Sequence, residues 1–336
     1  MATIRDVAKL AGVSVSTVSL AFSDPARVHQ KTRARIQVAV DATGYAADPL
    51  AQTLAKGRSK LIGLVTGNIG NAFFGDIRRE LETYAIDHGH FVLAADSSGK
   101  PGREIELIEH LAGLKVAGLV LAPNGYDQTY VDVVQRLKTP VVCFDQKVAG
   151  IERDFVGSDN RLATAMLTEH LLKLGHRRIA FISGPTDLYT AQERLTGFTQ
   201  TMAGAGIEPD RSLVVYGNYV KSAAYGEAMR LLTRADRPTA IIGANNVMAL
   251  AALMAMQELG FRCPEDVSLA MIDDVLWSEV ITPKLTMVVQ DTMAMGRAVA
   301  TRILHRITSP EGATEPPQEV ILPPRFVLGG SCRRVD

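Results

Sequence analysis

The 336-residue chain is poor in the residues that build disulfide or metal-bound scaffolds. Its three cysteines, Cys143, Cys263 and Cys332, are far apart, odd in number and in no Cys-x-x-Cys pair. That argues against both a disulfide framework and a zinc site. Aromatic residues are 6% of the chain, so its 47% apolar content rests on aliphatic side chains, as in a soluble protein rich in Ala, Val and Leu. No apolar run approaches the ~20 residues needed to span a bilayer. The start lacks a basic stretch followed by an apolar one, so a cytoplasmic protein is expected. Also missing are GxSxG, GxGxxG and GxxxxGK[ST]. His88, His90, His110, His170 and His176 fall on expected helix ends and loops, where solvation accounts for them. No enzyme, catalytic residue, metal or cofactor is therefore expected.

The net charge of +0 conceals an asymmetry. The first 60 residues hold nine Lys/Arg against four Asp, whereas the rest holds 27 basic and 32 acidic residues. A basic head on an acidic body suits a protein that meets a polyanion only at its head.

Within that head, TIRDVAKLAG runs into VSVSTVSLAF. Thr3 can cap a helix over Ile4–Ala11 with Asp6 in its first turn, and Gly12 ends it. Ser14 can cap a second helix over residues 15–22. Val7, Ala8, Ala11, Val13, Val18 and Ala21 are spaced to pack together, while Val15, Ser16, Ser19 and Leu20 face outward. Helix, glycine turn, helix is the helix-turn-helix pattern, whose second helix enters the DNA major groove. The alternative is a plain helical hairpin capping a domain. A third helix is expected over Gln30–Thr43, with Ile36 and Val40 inward and Gly44 at its end. Asp48-Pro49 reads as a cap and first residue of a short helix, residues 50–55, too short to stand alone in water. A basic linker, residues 56–60, follows.

From Leu61 onward, apolar runs alternate with amphipathic helices. LIGLVTG, FVLAADS, VAGLVLAP, PVVCFDQ, RRIAFISGP, SLVVYGN, TAIIGAN and SLAMIDD read as buried strands. Helices are expected at residues 74–88, 103–113, 130–137, 161–174, 191–205, 222–233 and 246–259. This rhythm predicts parallel sheets covered on both faces and, because it restarts once, two doubly wound subdomains with a cleft between them. Ligands of such folds sit at the carboxyl ends of the strands. The residues there are Asn68, Asn71, Phe73-Phe74, Asp96, Asn124, Asp145, Asp159-Asn160, Thr190, Arg194, Tyr219, Asn245-Asn246, Asp273-Asp274 and Gln290. Each alone reads as a loop polar group or a helix cap. Together, amides, carboxylates and a guanidinium beside aromatic rings suit a polyhydroxylated small molecule.

TIRDVAKLAGVSVSTVS, GYAADPLAQTLAKGRS, NAFFGDI, GHRRIAFISGP, ERLTGF, RPTAIIGAN, and MIDD followed by TPKLTMVVQD resemble the lactose-repressor/galactose-repressor family of bacterial transcription regulators. The resemblance runs from about Ala2 to Cys332. It implies an all-α headpiece at residues 1–46, a hinge helix and linker at 47–60, and an effector-binding and dimerisation body at 61–336 that is like periplasmic sugar-binding proteins. The N-lobe would take about 61–160 and 291–319, the C-lobe about 161–290 and 320–336. Chain crossings are implied near Asn160-Arg161, Gln290-Asp291 and residues 318–320.

By the same resemblance, Val15, Ser16 and Leu20 would read base edges, while Thr17, Ser19 and Arg27 would hold phosphates. Leu54 would wedge into a minor-groove step. With the caps Thr3 and Ser14 these form the expected DNA-binding set. Asn71, Phe73, Phe74, Asp145, Arg194, Tyr219, Asn245, Asp273 and Gln290 align with effector-contacting positions. The chain departs from the pattern at Leu20, where arginine or histidine is common, and at Gln52, which replaces an arginine. It departs again at Asn246, which replaces an aspartate, and at Gly329-Gly330, which replace a charged pair. The implied partners are operator DNA, a sugar-like effector and a second copy of the chain. No apolar heptad closes the sequence, so a dimer is expected rather than a tetramer. The function implied is an effector-controlled regulator, most simply a repressor of a carbohydrate-utilisation operon. A solute-binding protein without a DNA role is the alternative.

Overall fold

The computed structural model describes residues 2–45, 59–275, 278 and 280–335. The expected short helix at residues 50–55, with Gln52 and Leu54, lies outside the described residues. The chain divides into two compact units, Met1–Lys60 with Gly113–Ala117, and Leu61–Ala112 with Gly118–Asp336.

The head unit contains α1 (Ile4–Ala11), α2 (Val15–Ser23), a 3-10 turn (Pro25–Arg27) and α3 (Gln30–Thr43). Val7, Ala8, Ala11, Val18, Ile36 and Ala39 form its core. At the start of α1, the Thr3 N–H and hydroxyl both donate to the Asp6 carboxylate at 2.8 Å, which lowers the Asp6 pKa. Thr3 is the N-cap of α1, as expected, in a capping box with Asp6. Gly12 ends α1 in the left-handed region at φ 63°, a conformation glycine adopts without steric cost. Ser14 Oγ caps α2 by accepting the Thr17 N–H at 3.1 Å. From α3, Arg35 Nη2 donates to the Ala11 carbonyl at 2.5 Å, and a Cβ on Gly12 would approach that nitrogen to 2.7 Å. One guanidinium therefore holds the turn on which α2 is mounted.

The body contains two six-stranded sheets. The first uses β1 (Leu61–Thr66), β2 (Phe91–Asp96), β3 (Gly118–Leu121), β4 (Val141–Phe144), β5 (Asp154–Ser158) and β11 (Glu319–Leu322). Its order is β11-β5-β4-β3-β1-β2, parallel throughout. The second uses β6 (Ile179–Ser183), β7 (Val214–Tyr216), β8 (Ala240–Gly243), β9 (Ser268–Ile272), β10 (Thr286–Val289) and β12 (Arg325–Val327), in the order β12-β10-β9-β8-β6-β7. Helices α4 (Ala72–Asp87), α5 (Pro101–Gly113), α6 (Gln128–Arg136) and α11 (Thr292–Thr308) belong to the first sheet. The second has α7 (Asn160–Lys173), α8 (Tyr189–Gly204), α9 (Lys221–Leu232) and α10 (Asn246–Glu258). Alternate strand residues face opposite layers: Ile179 and Phe181 pack with α7 and α8, Ala180 and Ile182 with α9 and α10. This is the doubly wound arrangement that continuous apolar strands require.

Two details correct the sequence reading. All strands were expected to be parallel, but β12 runs antiparallel to β10, pairing Val289 with Arg325. The last crossing was expected near residues 318–320, but β11 stays paired with β5 through Leu322. Both follow from one fact. A parallel neighbour needs a crossover of a dozen or more residues, and only Pro323-Pro324 separate β11 from β12. The chain leaves the first sheet at its carboxyl end, so it enters the second at the carboxyl end and can only run backwards. The other crossings fall at Asp159, between β5 and α7, and at Gln290-Asp291, between β10 and α11.

Candidate functional site

The carboxyl ends of the two sheets enclose a cavity of about 580 Å³. From the first sheet it receives Asn71, Phe73 and Phe74 at the start of α4, Asp96, Asn124, Asp145 and Gln146. From the second it receives Thr190, Arg194, Tyr219, Asn245, Asp273 and Gln290. All nine residues expected to contact an effector line it. Asp159, Asn160, Asn246 and Asp274 do not. Asp159 caps α7 at Leu162 N–H, and Asp274 accepts from the Val275 N–H and the Ser278 hydroxyl. Asn160 stands behind Arg194, and Asn246 pairs with Asn71 across the cleft at 3.1 and 3.4 Å.

Arg194 is the centre of this wall. It is 3% exposed, donating from Nε to Asn160 Oδ1 at 2.7 Å and from Nη1 to the Ala244 carbonyl at 2.6 Å. Burial works against its charge, but Tyr219, Asp273 and Asp145 outweigh that and raise its pKa. Burial pushes the Asp145 carboxyl up to about 6 against the pull of Arg194. Burial also raises Asp273, opposed by Arg194 and by Gln290, whose Nε2 donates to Asp273 Oδ1 at 2.6 Å. Gln290 Oε1 is buried without a protein partner.

Backbone strain concentrates at the same place. Asp145 (φ 61°), Asn218 (φ 53°), Tyr219 (φ 56°) and Asp273 (φ 76°) all sit in the left-handed region without being glycine. Each such residue costs of order 1–3 kcal/mol and persists where its surroundings over-determine it, as in ligand clamps. A Cβ on Gly184 would meet the Tyr219 ring at 2.3 Å, so glycine there lets the ring lie down beside the cavity. Phe73 and Phe74 pack edge to face, with centroids 5.1 Å apart.

The sequence reading missed Gln146. Its Nε2 donates to Asp145 Oδ2 at 3.0 Å and across the cleft to Thr190 Oγ1 at 2.8 Å, and its Oε1 accepts the Thr190 N–H. Its place directly after Asp145 at a strand end was the available signal. Asp187 and Tyr126, also unread, line the rim, where the Asp187 carboxylate raises the Tyr126 pKa. The described lining holds four carboxylates, Asp96, Asp145, Asp187 and Asp273, and one cation, Arg194. Among the described residues no group of three or more His, Cys, Asp or Glu is placed to hold a metal ion.

In the head unit, Val15 (42% exposed) and Ser16 stand on the open face of α2, with Thr17, Ser19 and Leu20 half-buried beside them. Ser14 Oγ lies 2.8 Å from Ser16 Oγ and 2.7 Å from Thr17 Oγ1, so the three hydroxyls share protons at the start of α2. Arg27 is exposed at the end of the 3-10 turn, and Thr3 at the start of α1. Leu54 lies outside the described residues.

Residues 3–48 match the model of the bacterial regulatory proteins of the lacI family, and residues 168–332 match a periplasmic binding protein-like domain. The HTH-type transcriptional regulator DegA of Bacillus subtilis is 31% identical over 329 residues, covering 97% of this chain and 96% of DegA. The fold is similar to that of the lac repressor dimer bound to operator and an anti-inducer, at TM-score 0.86 and 26% identity over 99% of both chains. It is also similar to the transcriptional regulator CelR–cellobiose complex, at TM-score 0.74 and 30% identity over 98% of this chain and 100% of CelR. These relatives are transcription regulators rather than enzymes, and no described helix is long and apolar enough to cross a membrane. With the helix-turn-helix head and the two-lobed body both matched along the whole length, the chain belongs to the lacI family of bacterial regulatory proteins and is a DNA-binding transcription regulator.

Proposed function

We propose that operator affinity is controlled by a small, uncharged, polyhydroxylated effector held in the cavity between the lobes. The observation that carries this reading is the excess of acceptors over free donors. Asp145 and Asp273 bring two carboxylates to a wall with a single guanidinium, two of whose five N–H donors are engaged by Asn160 and Ala244. A ligand rich in hydroxyls supplies the missing donors, and Phe73, Phe74 and Tyr219 offer ring faces to its apolar side. A phosphate or carboxylate would add charge beside four carboxylates, at a steep cost in a buried site. It would also find first-turn N–H groups of α4, α8 and α10 engaged by Asn71, Gln146 and Asn245. The cellobiose in the CelR complex supports a sugar.

In this reading the effector selects one closure angle of the lobes. In a homodimer that motion changes the spacing of the two linkers, so the short helices expected from the sequence at residues 50–55 would gain or lose a paired, DNA-inserted state. Val15, Ser16 and Leu20 read base edges, and Thr17, Ser19 and Arg27 hold phosphates beside the helix starts at Thr3 and Ser14. The regulated genes serve carbohydrate use, and the protein works in the cytoplasm.

The test is a thermal-shift comparison of neutral mono- and disaccharides with matched sugar phosphates and sugar acids, since a ligand bound only by the native state raises its melting temperature. Stabilisation by the anionic members alone refutes the uncharged class. The stabilising sugar is then titrated with and without operator. Coupling must be reciprocal, so equal affinities in the two titrations refute the allosteric link.

A further inference from the structure

Behind the cavity wall sits a buried acid with no part in that reading. Glu104, on α5, is 0% exposed, and among the described residues no cation pairs with it. Its Oε2 accepts the Asn124 N–H at 2.9 Å, and its Oε1 accepts the Tyr130 hydroxyl at 2.5 Å. These donors bracket the segment that joins β3 to α6. The segment delivers Asn124 and Tyr126 to the cavity, and Tyr126 reaches Asp187 on the opposite lobe. It is moulded closely: a Cβ on Gly125 would lie 2.3 Å from the Tyr130 ring.

We propose that Glu104 is a positioning residue for the effector site, which in its ionised form clamps the β3–α6 segment and on protonation loosens it. The inference rests on the cavity being the effector site. An ionised carboxylate offers only acceptors and matches the two donors that face it. A protonated one turns the Tyr130 bond round by donating to its hydroxyl, and leaves Asn124 a neutral acceptor in place of a charged one, which weakens that bond by about half. Burial pushes the Glu104 carboxyl up to about 7, with Tyr130 and Asn124 holding it down. The other titratable groups facing it are Tyr130 on α6, which burial raises, and Cys143 on β4, which burial pushes up to about 12. Both stay neutral near pH 7, so the carboxyl is the one group in this cluster that changes charge there.

The test is amide hydrogen exchange at Asn124 in the full-length protein, expressed as a protection factor at each pH. In the wild type, protection should fall roughly fivefold as pH drops through about 7, the difference between a charged and a neutral acceptor. Glu104→Gln should give low protection independent of pH. Tyr130→Phe removes one of the bonds that hold the carboxyl down, so the transition should move to higher pH. If Glu104→Gln does not fold, Tyr130→Phe decides alone. A purely structural role would lower the melting temperature of the variants and leave wild-type protection flat with pH. That result, or full protection in Glu104→Gln, overturns the assignment. Because exchange needs no ligand, it decides on Glu104 whatever the sugar panel shows. Calorimetric titration with cellobiose and D-ribose then separates the two questions. Binding that weakens below pH 7 in the wild type but not in Glu104→Gln supports the link, and unaltered binding in a protein with altered exchange refutes it.

Discussion

Asn71 and Asn246 exchange both side-chain amide hydrogen bonds across the cleft, at 3.1 and 3.4 Å, one at the start of α4 and the other at the start of α10. Each amide is donor and acceptor to the other, so neither side can become a carboxylate without loss. In Asn246→Asp, the Asn71 Oδ1 should face an acceptor, and the closed cleft should lose about 1 kcal/mol. The measurements are small-angle scattering without effector and calorimetric affinity for the first neutral sugar found to bind. An unchanged radius of gyration together with unchanged affinity would contradict the latch.

Replacing Arg194 by Ala leaves Asp145 and Asp273 buried with no cation between them. Removing one partner of a buried ionic group costs about 3–5 kcal/mol. Urea denaturation should show that loss in the body, and the effect of effector on operator affinity should disappear while basal operator binding persists. A variant that responds to effector at wild-type concentrations would place the site elsewhere.

Asp145 gives stability a definite slope with pH. Its folded pKa of about 6 is raised above the unfolded value, so the folded state binds the proton more tightly. Its contribution is fully present below pH ~4 and is lost as pH rises through 6. Asp145→Asn should therefore be more stable than wild type at pH 7, by up to about 3 kcal/mol, with the difference vanishing near pH 4. Denaturation midpoints at the two pH values check the sign, and a variant less stable at pH 7 would reverse it.

At the DNA-reading end, Leu20 offers an apolar contact suited to a thymine methyl group. Leu20→Arg should bring guanine into the preferred operator, a change worth about 1–3 kcal/mol at one base pair. Selection from a randomised operator library reads the change directly. An unaltered consensus would remove Leu20 from the base-reading set.

Leu54→Ala should weaken operator binding and bending together, with effector affinity preserved, because an apolar wedge acts only on the kinked step. Electrophoretic mobility of circularly permuted operator fragments measures both. Wild-type bending in the variant would end the wedge assignment.

The regular elements were legible where local chemistry marks them. Thr3, Gly12, Ser14 and Gly44 bound the head helices within a residue, and every strand read as an apolar run is a strand. Several body helices begin earlier than their apolar periodicity suggests. α4 starts at Ala72 behind the cap Asn71, and α6 at Gln128 behind Asp127, because the first turn is polar and carries no periodic signal. Helix α11 was passed over, although Met295, Val299 and Ile303 fall on one face behind the cap Asp291. The site was legible as a set of polar strand ends but not as a geometry. Nothing local says that Asn160 stands behind Arg194 while Gln146 spans the cleft, or that Glu104 bonds a segment some twenty residues further on. Those relations depend on which strands become neighbours, and sequence spacing is silent on that.

Pro323-Pro324 were met above as the reason β12 runs backwards. They also act as a tether. Three Cα–Cα steps join Leu322, the last residue of one sheet edge, to Arg325, the first of the other, so those two points can never stand more than roughly 11 Å apart. Two proline rings stiffen even that reach. The lobes are thus free to turn about this side of the cleft but not to draw apart. Whatever the effector does to the protein, it must do by rotation.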